Sequence, residues 1–301
     1  MSKPLTGKVA LVAGATRGAG RGIACMLGEQ GATVYCSGRS TRAALSPLQR
    51  PETIDETADM VNYYGGIGIP VPTDHLNEAD VKSLIDRIES EQGKLDILVN
   101  DVWGGERLVE FKPFLESSLD KGFEMLRTGI NTHILTSYYA APLMVKNKSG
   151  LIVEVTDGDT LRYRGMLVYD LVKVSVMRLA FSQSVEFRPH NIAAVAVTPG
   201  FLRSEQMLEE AFSVTEANWK DAVEKDPNFI ASETPFFVGR AVAHMAMDAN
   251  IMSKSGRAFS SWGLSDEYGF TDINGERPHW GRHLESIGGW ETFNMPMWEL
   301  G

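Results

Sequence analysis

Tyr169 and Lys173 stand four residues apart in Leu167-Val168-Tyr169-Asp170-Leu171-Val172-Lys173, and at helical pitch that spacing puts both side chains on one face. A phenol beside an ammonium at the start of an apolar helix can move protons. At about 4 to 6 Å and an effective dielectric of about 20 the cation favours phenolate by about 3 to 4 kcal/mol, lowering a Tyr pKa by about two units. Tyr169 is therefore the candidate acid/base and Lys173 its assistant. A second cluster, Gly14-Ala15-Thr16-Arg17-Gly18-Ala19-Gly20, follows a β-branched run and opens a helix near Arg21. Gly14, Gly18 and Gly20 let backbone pass close to a pyrophosphate, and the free N–H groups of the helix N-terminus attract it. The next strand ends in Ser37-Gly38-Arg39-Ser40, without the acid that holds the ribose hydroxyls of NAD. Arg39, with Arg17, suits a 2′-phosphate instead, so the cofactor read here is NADP(H); the alternative is a pair of solvated arginines.

The elements that must position these residues follow from periodicity. Residues 8–13, 32–37, 67–70, 95–99, 151–155 and 192–197 read as strands, separated by amphipathic stretches at 21–30, 52–64, 78–92, 135–146 and 171–188. This alternation predicts an α/β fold: one doubly wound, Rossmann-like domain over 1–301 with a parallel sheet and a core at about 5–260. Two segments stand outside it, 40–51 and a C-terminal extension, 261–301, that holds four of the six tryptophans. Rings of that size are expected to pack on the domain or on a partner subunit, which predicts a homo-oligomer.

With 301 residues, 43% hydrophobic and 23% charged, the chain is no disordered, collagen-like or coiled-coil sequence. A net charge of −10 argues against nucleic acid and anionic membrane as partners. No run of 18 apolar residues occurs, the first residues lack the apolar core of a secretory leader, and Cys25 and Cys36 read as reduced core residues. A cytoplasmic protein is expected. His279 and His283 are spaced for a metal on a helix face, but the Gly and Pro around them argue against a helix, so no metal is expected.

Taken in order, these residues resemble the short-chain dehydrogenase/reductase family over about residues 5–260. The glycine run is similar to its TGxxxGxG loop, with Ala13 in place of threonine, and Tyr169 and Lys173 to its YxxxK pair. Asp74 resembles the acid after its third strand, Asn100 the start of its Asn-Asn-Ala-Gly motif, and Asn131 its helix asparagine. Pro199 and Gly200 resemble its nicotinamide-side turn, and Ser204 takes the place of a threonine that holds the carboxamide. The resemblance implies hydride transfer between NADP(H) and a small-molecule carbonyl or alcohol, with a lid at about 201–235. It makes Tyr169 the acid/base, Lys173 the group that lowers its pKa and holds ribose, and Asn131 the anchor of a proton-relay water.

One family position departs. Its catalytic serine falls here in Val155-Thr156-Asp157-Gly158; counting thirteen residues back from Tyr169 gives Thr156, while the branch resembling dehydrogenase/reductase member 1 has a twelve-residue spacing and gives Asp157. Asp157 is favoured. An ionised carboxylate there would raise the pKa of Tyr169 and hinder ordinary ketone reduction. Either Asp157 keeps a proton, or the substrate carries positive charge, as an iminium or amine does. A redox-silent nucleotide-binding regulatory or structural protein is the alternative. Trp103, in Asp101-Val102-Trp103-Gly104 where the family motif continues, reads equally as a pocket wall or a core residue.

Overall fold

Among the described residues, seven strands carry the core. The computed structural model describes residues 2–45 and 48–288. Its strands are β1 (Val9–Ala13), β2 (Thr33–Gly38), β3 (Ile67–Pro72), β4 (Ile97–Asn100), β5 (Gly150–Val155), β6 (Ile192–Thr198) and β7 (Ala258–Ser260). All neighbours pair in parallel, in the order β3-β2-β1-β4-β5-β6-β7. Every residue of β1, β4 and β6 is buried, as strands covered by helices on both faces must be. The strand order reverses between β1 and β4, and a ligand crevice opens at the carboxyl ends of strands at such a point.

The helices are α1 (Gly18–Glu29), α2 (Ile54–Tyr63), α3 (Glu78–Gln92), α4 (Leu119–Leu126), α5 (Thr132–Asn147), α6 (Leu167–Phe187), α7 (Pro235–Met247), α8 (Ser261–Tyr268) and α9 (Trp280–Ser286). Alternate strand residues face two cores. Val12, Val34 and Val99 pack with Ile23, Val61 and Val242 of α1, α2 and α7, while Leu11, Tyr35 and Leu98 pack with Leu84 and Met144 of α3 and α5. Among the described residues no helix is long and apolar enough to cross a membrane.

Helix α1 approaches α7 closely because glycines face each other. A Cβ on Gly22 would lie 1.9 Å from the Pro235 carbonyl oxygen, and one on Gly239 would lie 2.4 Å from the Gly22 oxygen. Gly22→Ala is expected to lower unfolding free energy by about 2 to 3 kcal/mol through overpacking. Urea titration measures it; an unchanged midpoint would mean that the two helices part without loss.

The strands and helices read from periodicity are present, with ends shifted by a few residues. The sequence reading leaves out β7, three residues long, and α4, α7 and α8. It also reads the surroundings of His279 as non-helical, whereas α9 forms there and His279 caps it by accepting a hydrogen bond from the Arg282 amide at 3.0 Å. Residues 201–235 form short helical turns around Phe212, Trp219 and Phe229. In the extension, Trp262 is buried and Trp280 meets Phe201 edge-on, 5.6 Å between centroids; Trp290 and Trp298 lie outside the described residues.

Candidate active site

The carboxyl ends of β1, β4, β5 and β6 open into a cleft of about 920 Å³. At one end is the glycine loop. Gly14 and Gly18 have φ of +90° and +56°, conformations that side chains disfavour, and both line the cleft. Gly20 does not: a Cβ there would meet the Gly14 oxygen at 2.3 Å, so this glycine lets α1 pass beside the loop rather than touching a ligand. Arg39 is exposed on the cleft with no ion-pair partner among the described residues. Arg17 is held by Glu52, Nε to Oε2 at 3.0 Å, while its Nη2 is buried without a partner among the described residues. An unpartnered buried guanidinium nitrogen and an exposed arginine lining the same cleft fit a group rich in acceptor oxygens, such as a nucleotide 2′-phosphate.

Asp74, Pro199, Gly200 and Ser204 also line the cleft. The Asp74 carboxylate accepts from the Leu76 amide at 3.0 Å. The Gly200 amide donates to Glu233 Oε2 at 2.9 Å, and Ser204 Oγ accepts from the Met207 amide at 3.3 Å.

Asn100 lies elsewhere. It shares the sheet face of Leu98, because strand side chains alternate, and its amide donates to Ser137 Oγ at 2.9 Å and Glu154 Oε1 at 3.0 Å inside a buried polar cluster. It is not a wall of the cleft. Glu154 also meets His133 Nδ1 at 2.6 Å and Gln183 Nε2 at 2.8 Å.

At the other end, the Tyr169 hydroxyl donates to Asp157 Oδ2 at 2.6 Å. Thr156 points its hydroxyl to the Lys173 carbonyl at 2.7 Å, so Asp157 is the β5-end side chain on the phenol. Arg164 donates to the Asp157 carbonyl and, at 2.9 Å, to Asp170 Oδ1, fixing the turn after β5. Lys173 does not lie on the Tyr169 hydroxyl. Its Nζ sits over the Trp103 ring, 4.1 Å from the centroid, and 5.5 Å from the centroid of Tyr169, a cation–π arrangement. The expected lowering of the Tyr169 pKa is therefore reversed: burial first, then the Asp157 charge and hydrogen bond, push it well above the usual phenol value, against a smaller opposing pull from Arg164. Burial lowers the pKa of Lys173, while Asp157, Asp101 and Glu106 resist. Burial also pushes Asp101 up to about 7, opposed by Lys173, His133 and the Gly20 amide.

The family model for short chain dehydrogenases matches residues 8–213. The chain belongs to the short-chain dehydrogenase/reductase family. It is 35% identical to mouse dehydrogenase/reductase SDR family member 1 over 281 residues, 91% of this chain and 86% of that protein. The human protein of the same name is 33% identical over 286 residues, with the same coverage. This places the chain in that branch. A short-chain type dehydrogenase/reductase from Mycobacterium marinum has a similar crystal structure, TM-score 0.68 at 25% identity, covering 85% of this chain and 94% of that one.

The family's helix asparagine, expected at Asn131, is not in the cleft. Asn131 is exposed at the end of a π-type turn, Arg127–Asn131, between α4 and α5. The widened turn brings Thr128, Gly129, Thr132 and His133 to the cleft and leaves Asn131 on the far side. At Gly129 a Cβ would lie 2.7 Å from Val172 Cγ1 and 2.8 Å from the Trp103 ring. Trp103 thus walls the cleft where a relay asparagine would need room. Sequence reasoning named Asp157 and Trp103 at the Tyr169 site but not Gly129 or Arg164: Gly129 has no distinguishing neighbour pattern, and Arg164 is one arginine of two in a loop.

Proposed function

We propose that this family member is an NADP(H)-dependent oxidoreductase that moves hydride to or from a small carbonyl/alcohol or imine/amine substrate, with Tyr169 and Asp157 as its proton-handling pair. The 2.6 Å hydrogen bond between them at the cleft wall is the observation that carries this reading. Gly14, Gly18, Arg17, Arg39, Asp74, Pro199, Gly200 and Ser204 would hold the dinucleotide, whose nicotinamide supplies or accepts the hydride. Tyr169 keeps its proton across the neutral range, because its pKa is raised, and so serves as acid in the reductive direction. Asp157 governs which substrate suits the site. Protonated, it donates a hydrogen bond as serine would and can restore the Tyr169 proton; ionised, it stabilises an iminium cation that needs hydride but no proton. Lys173, held over Trp103, supplies positive charge and a ribose contact rather than direct pKa lowering.

Exposed Leu119, Phe123, Leu167 and Leu171 on α4 and α6 support assembly with a second copy. The two free, buried cysteines fit a cytoplasmic location.

The cofactor reading predicts that NADPH binds at least about tenfold tighter than NADH and that Arg39→Asp removes this preference. Calorimetry with both nucleotides tests it. Equal affinities in the wild type, or a preference that survives in the variant, would remove the 2′-phosphate assignment.

A further inference from the structure

The N-terminus of α1 is already occupied by the protein's own carboxylates. Glu205 Oε2 accepts from the Gly18 amide at 2.8 Å, and Glu205 Oε1 lies 3.2 Å from Arg21 Nη1. The Gly20 amide bonds Asp101. Glu205 follows Ser204 at the start of the segment that runs into the turn Met207–Phe212, and Arg50 ties that segment down through Glu209 at 2.8 Å and Glu210 at 2.7 Å. Gly18 and Ser204 both line the cleft, whereas Glu205 itself lines a neighbouring hollow beside Arg21 and Glu209; its bond to Gly18 takes up one amide that the glycine loop could otherwise offer to a phosphate. A carboxylate and a pyrophosphate cannot share one N–H donor, and two like charges so close repel.

We propose that Glu205 is a displaceable occupant of the anion position at α1: its carboxylate leaves the Gly18 amide when a dinucleotide pyrophosphate binds, so Glu205 sets cofactor affinity and holds residues 204–212 against the glycine loop until then. The inference rests on the dinucleotide reading above. It differs from a plain capping role in sign. A cap stabilises the free and the bound protein alike, whereas a competitor stabilises only the free one. Removing its charge must weaken the free protein and strengthen the complex.

The test is NADPH calorimetry on the full chain for wild type, Glu205→Gln and Glu205→Ala, with thermal midpoints measured free and at saturating NADPH. Glu205→Gln, which keeps size and an acceptor oxygen, is expected to bind NADPH about five- to tenfold tighter, roughly the effect of losing one charged competitor. Its free midpoint falls below that of wild type and its saturated midpoint rises above it. Adenosine 2′-monophosphate, which lacks the pyrophosphate, gains less than about twofold. Wild-type binding of NADPH with no gain, or a loss, in Glu205→Gln overturns the proposal alone. Failure of both wild type and variant to bind NADPH overturns the dinucleotide reading and the proposal with it. If Glu205→Ala does not fold, Glu205→Gln decides.

Discussion

Tyr169→Phe lowers turnover of a neutral ketone by about two to four decades while leaving NADPH affinity within about twofold. The substitution removes one atom from the cleft and leaves the ring in place, still edge-on to Trp103 at 5.6 Å and Phe111 at 6.4 Å. Packing therefore persists, and the glycine loop is left as it is. What disappears is the proton held between Tyr169 and Asp157, so kcat falls and binding does not. Single-turnover kinetics with preloaded NADPH measure the chemical step apart from binding. A variant that keeps more than about a tenth of wild-type turnover would show that another group handles the proton.

Changing Asp157 alters which substrate the protein prefers. Asp157→Ser removes the charge that helps push the Tyr169 pKa up and that would repel a developing alkoxide, so reduction of a neutral ketone is expected to rise by about tenfold or more. A cyclic iminium loses its counter-charge in the same variant and is reduced more slowly. Asp157→Asn, which keeps the shape of the side chain and removes its charge, is expected to favour the ketone over the iminium in the same sense. Tyr169, with its raised pKa, adds no limb of its own to the pH profile near neutrality. Profiles of kcat/KM on both substrates from about pH 5 to 9 measure the change in preference. Both variants matching wild type on both substrates would mean that Asp157 stands outside the chemistry.

Local features of the chain carried the fold and half of the site. Buried parallel strands are short apolar runs, and a glycine loop between a strand and a helix is contiguous, so β1, Gly14, Gly18 and the start of α1 are legible without a structure. Tyr169 and Lys173 are legible as neighbours, since four residues on a helix fix a shared face. Their electrostatics are not, because they depend on residues far along the chain. Trp103 captures the Lys173 ammonium, and burial among distant segments raises Tyr169 where the lysine alone would lower it. Asn131 fails for a different reason: one widened turn before α5 rotates the helix face, and nothing in Arg127-Thr128-Gly129-Ile130-Asn131 announces it. Arg17 looks free in sequence but pairs with Glu52, 35 residues on.

Hydride transfer itself is best tested with NADPH carrying deuterium at the transferable nicotinamide position, bound to the wild-type protein and offered to a panel of ketones and cyclic imines. Deuterium appearing in an alcohol or amine product, with oxidation of one NADPH per product and, for the ketones, almost none with Tyr169→Phe, is the predicted result. Tight NADPH binding with no deuterium transferred to any member of the panel would contradict it and leave a nucleotide-binding protein without redox chemistry.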